Sequence, residues 1–320
     1  TDDPTGHLLL EPQSTNLFPY SNDFSQWDSL SNASVINNVL VSPDGTLNAD
    51  EFVFDGTNNG RIEERVSITN GLVYTFSIYL KNKDIANPTQ VFIGNATNSE
   101  GRFVTITNEW QRFTTTQTAN STTAFPRVRY NGVGSLYAYG AQFEQQSYAT
   151  SYIPTSGAIS TRNQEICNNS GTASDFNSEE GVLYAEYKIG GDSTDNYQII
   201  SLRDSNDGNS DVIGIGKHIS SNDIFIRLTI GSVGVFSNLS ATPIDGYNKV
   251  AISYKSGNSS AWVNGTKVYS SSSTFTPILT LSKLSFQWKD PGNLNFFGKT
   301  KNLKVFKRAL TDAELQELTT

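Results

Sequence analysis

The chain has 320 residues, 36% of them hydrophobic and 17% charged, with a formal net charge of −8 at pH 7. Acidic and basic residues are scattered, which excludes a nucleic-acid partner because phosphate binding needs clustered Lys and Arg. A single cysteine, Cys167, excludes an internal disulfide. No apolar run approaches the roughly 20 residues of a membrane helix, so we expect no membrane insertion.

The first block, residues 1–146, alternates short strand-like runs with turn signals and shows no helical period. In the run 74–80, Tyr74, Phe76, Ile78 and Leu80 share one face, and this alternation is typical of an antiparallel strand covered on one side. Strands are predicted at 49–54, 61–68, 72–81, 90–93, 101–106, 109–116, 127–130 and 136–144.

Residues 147–178 are predicted to link two blocks. Pro154 cannot donate to a sheet ladder, and Ser156-Gly157 favours a turn. Asn, Ser, Gly and Thr then dominate the segment up to residue 178. The chain contains no methionine, so we expect it to be a fragment or a processed protein.

The second block, residues 179–320, repeats the pattern of short strands. Asn264-Gly265 predicts a tight hairpin turn, and Thr311 with Glu314 predicts a capped helix at the C-terminus. In a strand, Trp288 would lie on the same face as Leu284 and Phe286, which predicts that its side chain is in the core. Strands are expected at 181–188, 197–203, 212–217, 224–230, 233–236, 248–254, 260–263, 267–269, 284–289 and 303–307.

The predicted fold class is all-β, with two antiparallel β-sandwich (jelly-roll) domains in tandem and one short C-terminal helix. The predicted domains are residues 1–146 and 179–320.

Several motifs of the first block resemble a module of bacteriophage tail and fibre-associated proteins. The module is also similar to the jelly-roll carbohydrate-binding modules attached to glycan-degrading enzymes. The resemblance implies contact with glycans or a part in virion architecture, and it implies no reaction. The motifs are Leu8-Leu-Leu-Glu-Pro-Gln-Ser-Thr-Asn-Leu17, Ser21-Asn-Asp-Phe-Ser-Gln-Trp27, Pro43-Asp-Gly-Thr46, Trp110-Gln-Arg-Phe113, Gly140-Ala-Gln-Phe-Glu144 and Ala149-Thr-Ser-Tyr-Ile-Pro-Thr-Ser156.

The second block resembles the concanavalin A-like or laminin-G-like sandwich. This resemblance implies a fold, but the fold hosts lectins, adhesion modules, hydrolases and lyases. The resemblance rests on Gly181-Val-Leu-Tyr-Ala-Glu186, on Ala261-Trp-Val-Asn-Gly-Thr-Lys-Val268 and on residues 303–315.

Sugar binding requires aromatic faces with amide or guanidinium donors beside them. Arg127 and Arg129 share a strand face, and Tyr79 and Lys81 would join them if both strands lined one groove. Such a basic groove would suit an acidic polysaccharide. The candidate carbohydrate-binding residues are Tyr20, Trp27, Tyr79, Lys81, Arg127, Arg129 and Trp262.

No catalytic pair is predicted. The Glu-x-Asp-x-x-Glu pattern of glycosidases on concanavalin-like sandwiches is missing from the sequence. A lyase would need a Tyr or His base and an Arg near the uronate, and Tyr197, Arg203, His218 and Arg227 are the candidates. Tyr197 and Arg203 share a strand face, but nothing in the sequence places His218 beside them.

No cofactor is predicted, and structural calcium is left open by analogy with the families. Residues 204–211 are rich in acidic and amide oxygens but lack the spacing of a calcium loop and its final bidentate Glu. A solvated turn is the favoured interpretation.

The favoured function is a non-catalytic glycan-binding or adhesion unit of a phage receptor-binding or tail-fibre-type protein. Its partner would be a cell-surface or algal polysaccharide, and its location extracellular or on the virion surface. The alternatives are a β-jelly-roll polysaccharide lyase and a purely structural virion component, for which a homotrimer is the expected assembly.

Overall fold

The computed structural model describes residues 6–85, 90–95, 101–190, 197–206, 208–218, 221, 223–288 and 294–320. Packing divides the chain into two compact units. The N-terminal unit is Gln13–Gln164, and the C-terminal unit is Glu165–Thr320 together with the residues up to Pro12. The domain boundaries expected from the sequence stay a prediction.

Strands are the main secondary structure of the described residues. The α-helix α1 spans Asp312–Thr319, and a 3-10 turn spans Phe24–Gln26. The predicted all-β class with a short C-terminal helix is confirmed. In chain order the strands are β1 (Leu8–Leu10), β2 (Ser14–Asn16), β3 (Ser29–Ser31), β4 (Ala33–Val41), β5 (Leu47–Asp55), β6 (Gly60–Glu63), β7 (Val66–Ser67), β8 (Val73–Asn82), β9 (Gln90–Asn95), β10 (Gly101–Thr105), β11 (Gln111–Thr118), β12 (Thr123–Ala124), β13 (Pro126–Tyr130), β14 (Val133–Glu144), β15 (Ser160–Arg162), β16 (Glu180–Ile189), β17 (Gln198–Asp204), β18 (Val212–Lys217), β19 (Ile224–Ile230), β20 (Val233–Ala241), β21 (Asn248–Lys255), β22 (Ser259–Val263), β23 (Thr266–Ser271), β24 (Leu281–Ser285) and β25 (Gly298–Phe306).

Two antiparallel sheets enclose the core of the N-terminal unit. Sheet I has the order β11-β8-β14-β5-β4, and sheet II has the order β10-β9-β13-β6-β3. The apolar face predicted for β8 is buried in this core, with Phe76 and Ile78 among its residues, and Ile62 and Val128 come from sheet II. The alternating pattern of β8 therefore sets which face of sheet I packs inward.

A buried polar network holds the segment that follows β14 against the outer face of sheet I. Glu144 is fully buried, and its carboxylate accepts hydrogen bonds from Ser14 Oγ (2.5 Å) and Gln142 Nε2 (2.6 Å). It also accepts from Thr150 N (2.9 Å) and Thr150 Oγ1 (2.7 Å). Four donors thus satisfy this buried carboxylate, as burial of a charge requires.

The C-terminal unit is a second sandwich. Sheet III has the order β1-β25-β16-β21-β22-β23, and sheet IV has the order β20-β19-β18-β17-β24. The core between them takes Leu183 and Ile252 from sheet III, and Ile200, Ile213 and Ile226 from sheet IV. Strand β1 forms the edge of sheet III, where its residues 8–10 pair with residues 298–300 of β25.

The helix α1 covers part of the outer face of sheet III. Thr311 and Glu314 form the predicted capping box, and Leu315 is buried against Trp262. The predicted hairpin turn between β22 and β23 has φ of +49° at Asn264 and +78° at Gly265. Among the described residues, no helix is both long and apolar enough to span a membrane.

Candidate functional site

Trp288 lies on the outer face of sheet IV, away from the core. The strand β24 ends at Ser285, so the alternation from Leu284 and Phe286 does not extend to Trp288, and the predicted core position is wrong. The indole contacts Gly214 of β18, where an added Cβ would lie 3.2 Å from Trp288 Cζ3. A glycine at this position therefore leaves room for the indole against the sheet.

Two guanidinium groups flank the Trp288 ring. The Cζ atoms of Arg203 and Arg227 lie 4.7 and 5.0 Å from the ring centroid. Arg203 is buried and donates to the carbonyl oxygens of Trp288 (2.5 Å) and Gly208, which fastens the Trp288 backbone to sheet IV. Arg227 is half-buried, and burial lowers the pKa of its guanidinium. Arg203 therefore positions the ring, and the Arg227 side chain is partly exposed beside it.

An aromatic row continues from Trp288 to Tyr197, the residue just before β17. Phe225 lies 6.3 Å from Trp288 and 4.9 Å from Tyr197, and Tyr197 lies 5.2 Å from His218, measured between ring centroids. Tyr197, His218 and Trp288 are half-buried. The structure thus brings all four lyase candidates to one sheet face, including His218, which the sequence could not place.

The candidates Tyr79 and Lys81 lie on the outer face of sheet I. The Cζ atom of Arg112 lies 5.5 Å from the ring centroid of Tyr79. The ring centroids of Tyr79 and Tyr139 are 5.8 Å apart. Lys81 lies opposite Tyr137 in the register of β8 and β14, and its side chain is half-buried. These residues form an aromatic and basic surface on this sheet.

Arg127 and Arg129 lie on the outer face of the other sheet, sheet II. Their guanidinium groups stack on Phe92 at 5.8 and 4.7 Å, and Arg127 also pairs with Glu63 at 3.6 Å. The outer faces of sheets I and II point away from each other across the shared core. The single groove that would join these arginines to Tyr79 and Lys81 is therefore not formed.

Two candidate tryptophans are buried, whereas sugar stacking requires an open ring face. Trp27 is 4% exposed and packs on Phe18 and Phe24, and its indole N–H donates to the carbonyl of Tyr20 (2.9 Å). Tyr20 is half-buried against the same core. Trp262 is 6% exposed beneath α1. Trp27 and Trp262 serve packing in this structure.

The acidic stretch 204–211 has its terminal carboxylates engaged by the backbone. Asp204 Oδ1 accepts from Asn206 N, and Asp211 accepts from Gly231 N and Leu279 N. Residue 207 lies outside the described residues. Among those described, no three His, Cys, Asp or Glu side chains are grouped as a metal site would require. Calcium remains a proposal by analogy.

One family model matches the C-terminal part of the chain. Residues 168–316 match the family model of the concanavalin A-like lectin/glucanases superfamily. No curated protein sequence matches the chain.

Several solved structures match this chain at low identity and with TM-scores below 0.4. The CBM40 of the Ruminococcus gnavus IT-sialidase is 17% identical, with a TM-score of 0.38, over 49% of this chain and 95% of that one. A SAP-like pentraxin from Limulus polyphemus is 14% identical, with a TM-score of 0.37, over 48% and 74%. Domains LG4-5 of the mouse laminin alpha1 chain are 10% identical, with a TM-score of 0.32, over 82% and 91%.

Proposed function

We propose that this chain is a non-catalytic glycan-binding unit and that it binds sugar on the outer face of sheet IV. The observation that carries the proposal is the adjacent, half-buried placement of Tyr197, His218, Arg227 and Trp288 on that face. Aromatic rings contact the C–H surfaces of a pyranose, and imidazole and guanidinium N–H groups donate to its hydroxyl or carboxylate oxygens. The superfamily match spans all four residues.

The partner proposed is a polysaccharide or a cell-surface glycan. The resemblance of residues 8–162 to a module of phage tail and fibre-associated proteins supports a receptor-binding or tail-fibre context. In that context the chain would lie on the virion surface or outside the cell; a homotrimer is the assembly expected for the structural alternative.

A glycan array followed by affinity electrophoresis tests the proposal. Wild-type protein should be retained by at least one glycan, and Trp288→Ala should weaken retention about tenfold or more, the contribution of an aromatic contact. Trp110→Ala is the matched control, since Trp110 is a half-buried tryptophan of the N-terminal unit. Retention by no glycan, or equal retention of Trp288→Ala and wild type by every glycan that retains the wild type, would refute the proposal.

The second candidate function is a polysaccharide lyase, favoured by the contact between His218 and Tyr197 near Arg227. In a lyase, a base removes the proton α to the uronate carboxylate, and the electron pair forms a carbon–carbon double bond. The glycosidic oxygen then leaves from the β carbon and takes a proton from an acid. His218 or Tyr197 would be the base, and the half-buried Arg227, whose guanidinium lies over the Trp288 ring, would neutralise the carboxylate.

Incubation with uronate-containing polymers distinguishes the two functions. A lyase gives an unsaturated product that absorbs in the ultraviolet, and His218→Ala should abolish that signal. Glycan retention without product across the panel favours the binding unit. A stable homo-oligomer in solution mass measurements, combined with no glycan retention, would instead favour the purely structural role.

A further inference from the structure

The N-terminal unit contains a cleft of about 770 Å³ that none of the predicted carbohydrate-binding residues lines. It lies where β8 begins and β14 ends. The volume falls within the range of about 300–1,000 Å³ typical of small-molecule sites. The cleft is therefore large enough to be a binding site in its own right.

Uncharged polar side chains dominate the lining. Gln13, Ser67, Thr69, Gln145 and Thr161 contribute amides and hydroxyls, and none of the lining residues, all in the described part of the chain, carries a charge. Amides and hydroxyls both donate and accept, which matches the hydroxyl groups of a sugar. The lining offers no counter-charge to an ionic ligand.

The cleft also has an apolar wall and a supported floor. Ile159 is 58% exposed at the cleft, and Leu17 lies beside the core. On the floor, Ser14 donates to the buried Glu144 carboxylate, and Tyr74 accepts from Thr69 N (3.0 Å). A carboxylate beneath the floor disfavours an anionic ligand further.

We infer that this cleft is a second binding site and that it takes a neutral saccharide. Its amide and hydroxyl groups bind the sugar hydroxyls, while Ile159 and Leu17 contact a C–H face. The proposed surface of Tyr197, His218, Arg227 and Trp288 is called the Trp288 site. The cleft does not depend on the Trp288 site, because every residue that lines the cleft belongs to the N-terminal unit.

Isothermal titration of the full chain tests the inference with cellotriose, maltotriose, xylotriose and mannotriose, and with trigalacturonate as the anionic comparison. At least one neutral trisaccharide should bind, and more tightly than trigalacturonate. Gln145→Ala should weaken that binding roughly threefold to tenfold, the contribution of a hydrogen bond. Gln26→Ala is the matched control, since Gln26 is exposed outside the cleft.

Ser67→Trp should fill the cleft and remove the binding, with an unchanged circular dichroism spectrum showing that the chain still folds. If Ser67→Trp unfolds, Gln145→Ala decides the question. Trp288→Ala should leave the neutral saccharide affinity unchanged, so failure at one site is distinguishable from failure at the other. Binding of none of the neutral trisaccharides, preference for trigalacturonate, or equal binding by Gln145→Ala and wild type would overturn the inference.

Discussion

Removing the Glu144 carboxylate should destabilise the N-terminal unit. Glu144→Ala leaves Ser14, Gln142 and Thr150 without their common acceptor in a site that is sealed from solvent. The two hydroxyl groups can rotate toward other acceptors, and Gln142 Nε2 also donates to Thr150 Oγ1 (3.2 Å), but the Thr150 amide N–H is fixed in direction. Each buried donor left unsatisfied costs about 1–3 kcal/mol. One such donor predicts a loss of about 1–3 kcal/mol in the free energy of unfolding.

Hydrogen exchange of peptides from β14 is the suitable measurement. The chain contains two units, so a single unfolding transition is not assured, whereas exchange reports the opening free energy of each segment. Glu109→Ala is the control, because Glu109 is exposed beside β11. Glu144→Gln retains one acceptor oxygen and should cost less than Glu144→Ala. A change below 1 kcal/mol for Glu144→Ala would refute the argument that this carboxylate holds the network.

Three further predictions concern pH, the helix cap and the Trp288 site. Burial raises the pKa of Asp50 to about 6 and of Glu64 to about 7, so the folded state favours the neutral form of both carboxyl groups. The stability that these groups contribute is therefore present at low pH and is lost as the pH rises through these values. Hydrogen exchange in the N-terminal unit should therefore slow, at matched intrinsic rate, between pH 8 and pH 5.5; no change, or the opposite trend, would contradict this. Thr311→Ala should destabilise α1 by about 1 kcal/mol, measured by exchange of its amides, because it removes the cap. Gly214→Ala should displace Trp288 and weaken glycan retention without changing neutral saccharide binding in the N-terminal unit.

Local sequence patterns predicted most of the strands because alternation and turn chemistry act over a few residues. The strands β18 and β19 have the bounds expected from the sequence, and the Asn264-Gly265 hairpin and the Thr311 cap form as predicted. The strand β4 was missed. Its register shifts between Ile36 and Leu40, and Asn38 has φ of +57°, so the alternation on which the prediction depends is interrupted.

The sequence does not predict the register between strands. This register brings the residues of the Trp288 site together. Gln198 pairs with Lys217 at the end of the β17–β18 ladder, so Tyr197 and His218 are the next residues outward and their rings meet. The pairing of β18 with β19 sets Arg227 opposite Gly214, beneath the indole of Trp288. Each of these residues has an ordinary local context, and only the pairing brings them together.

The N-terminal motifs carry a different kind of information. Gln142, Glu144, Thr150 and Ile153 belong to the stretches that resemble the phage tail module, and all four are buried. Gln142 Oε1 accepts from Ile153 N (2.7 Å), and Glu144 accepts from Thr150, so these residues hold two segments of one module together. Residues with such a structural role indicate how the unit folds and leave its ligand undetermined. The ligand of this unit must therefore be inferred from the cleft that the network supports, where the uncharged lining favours a neutral sugar.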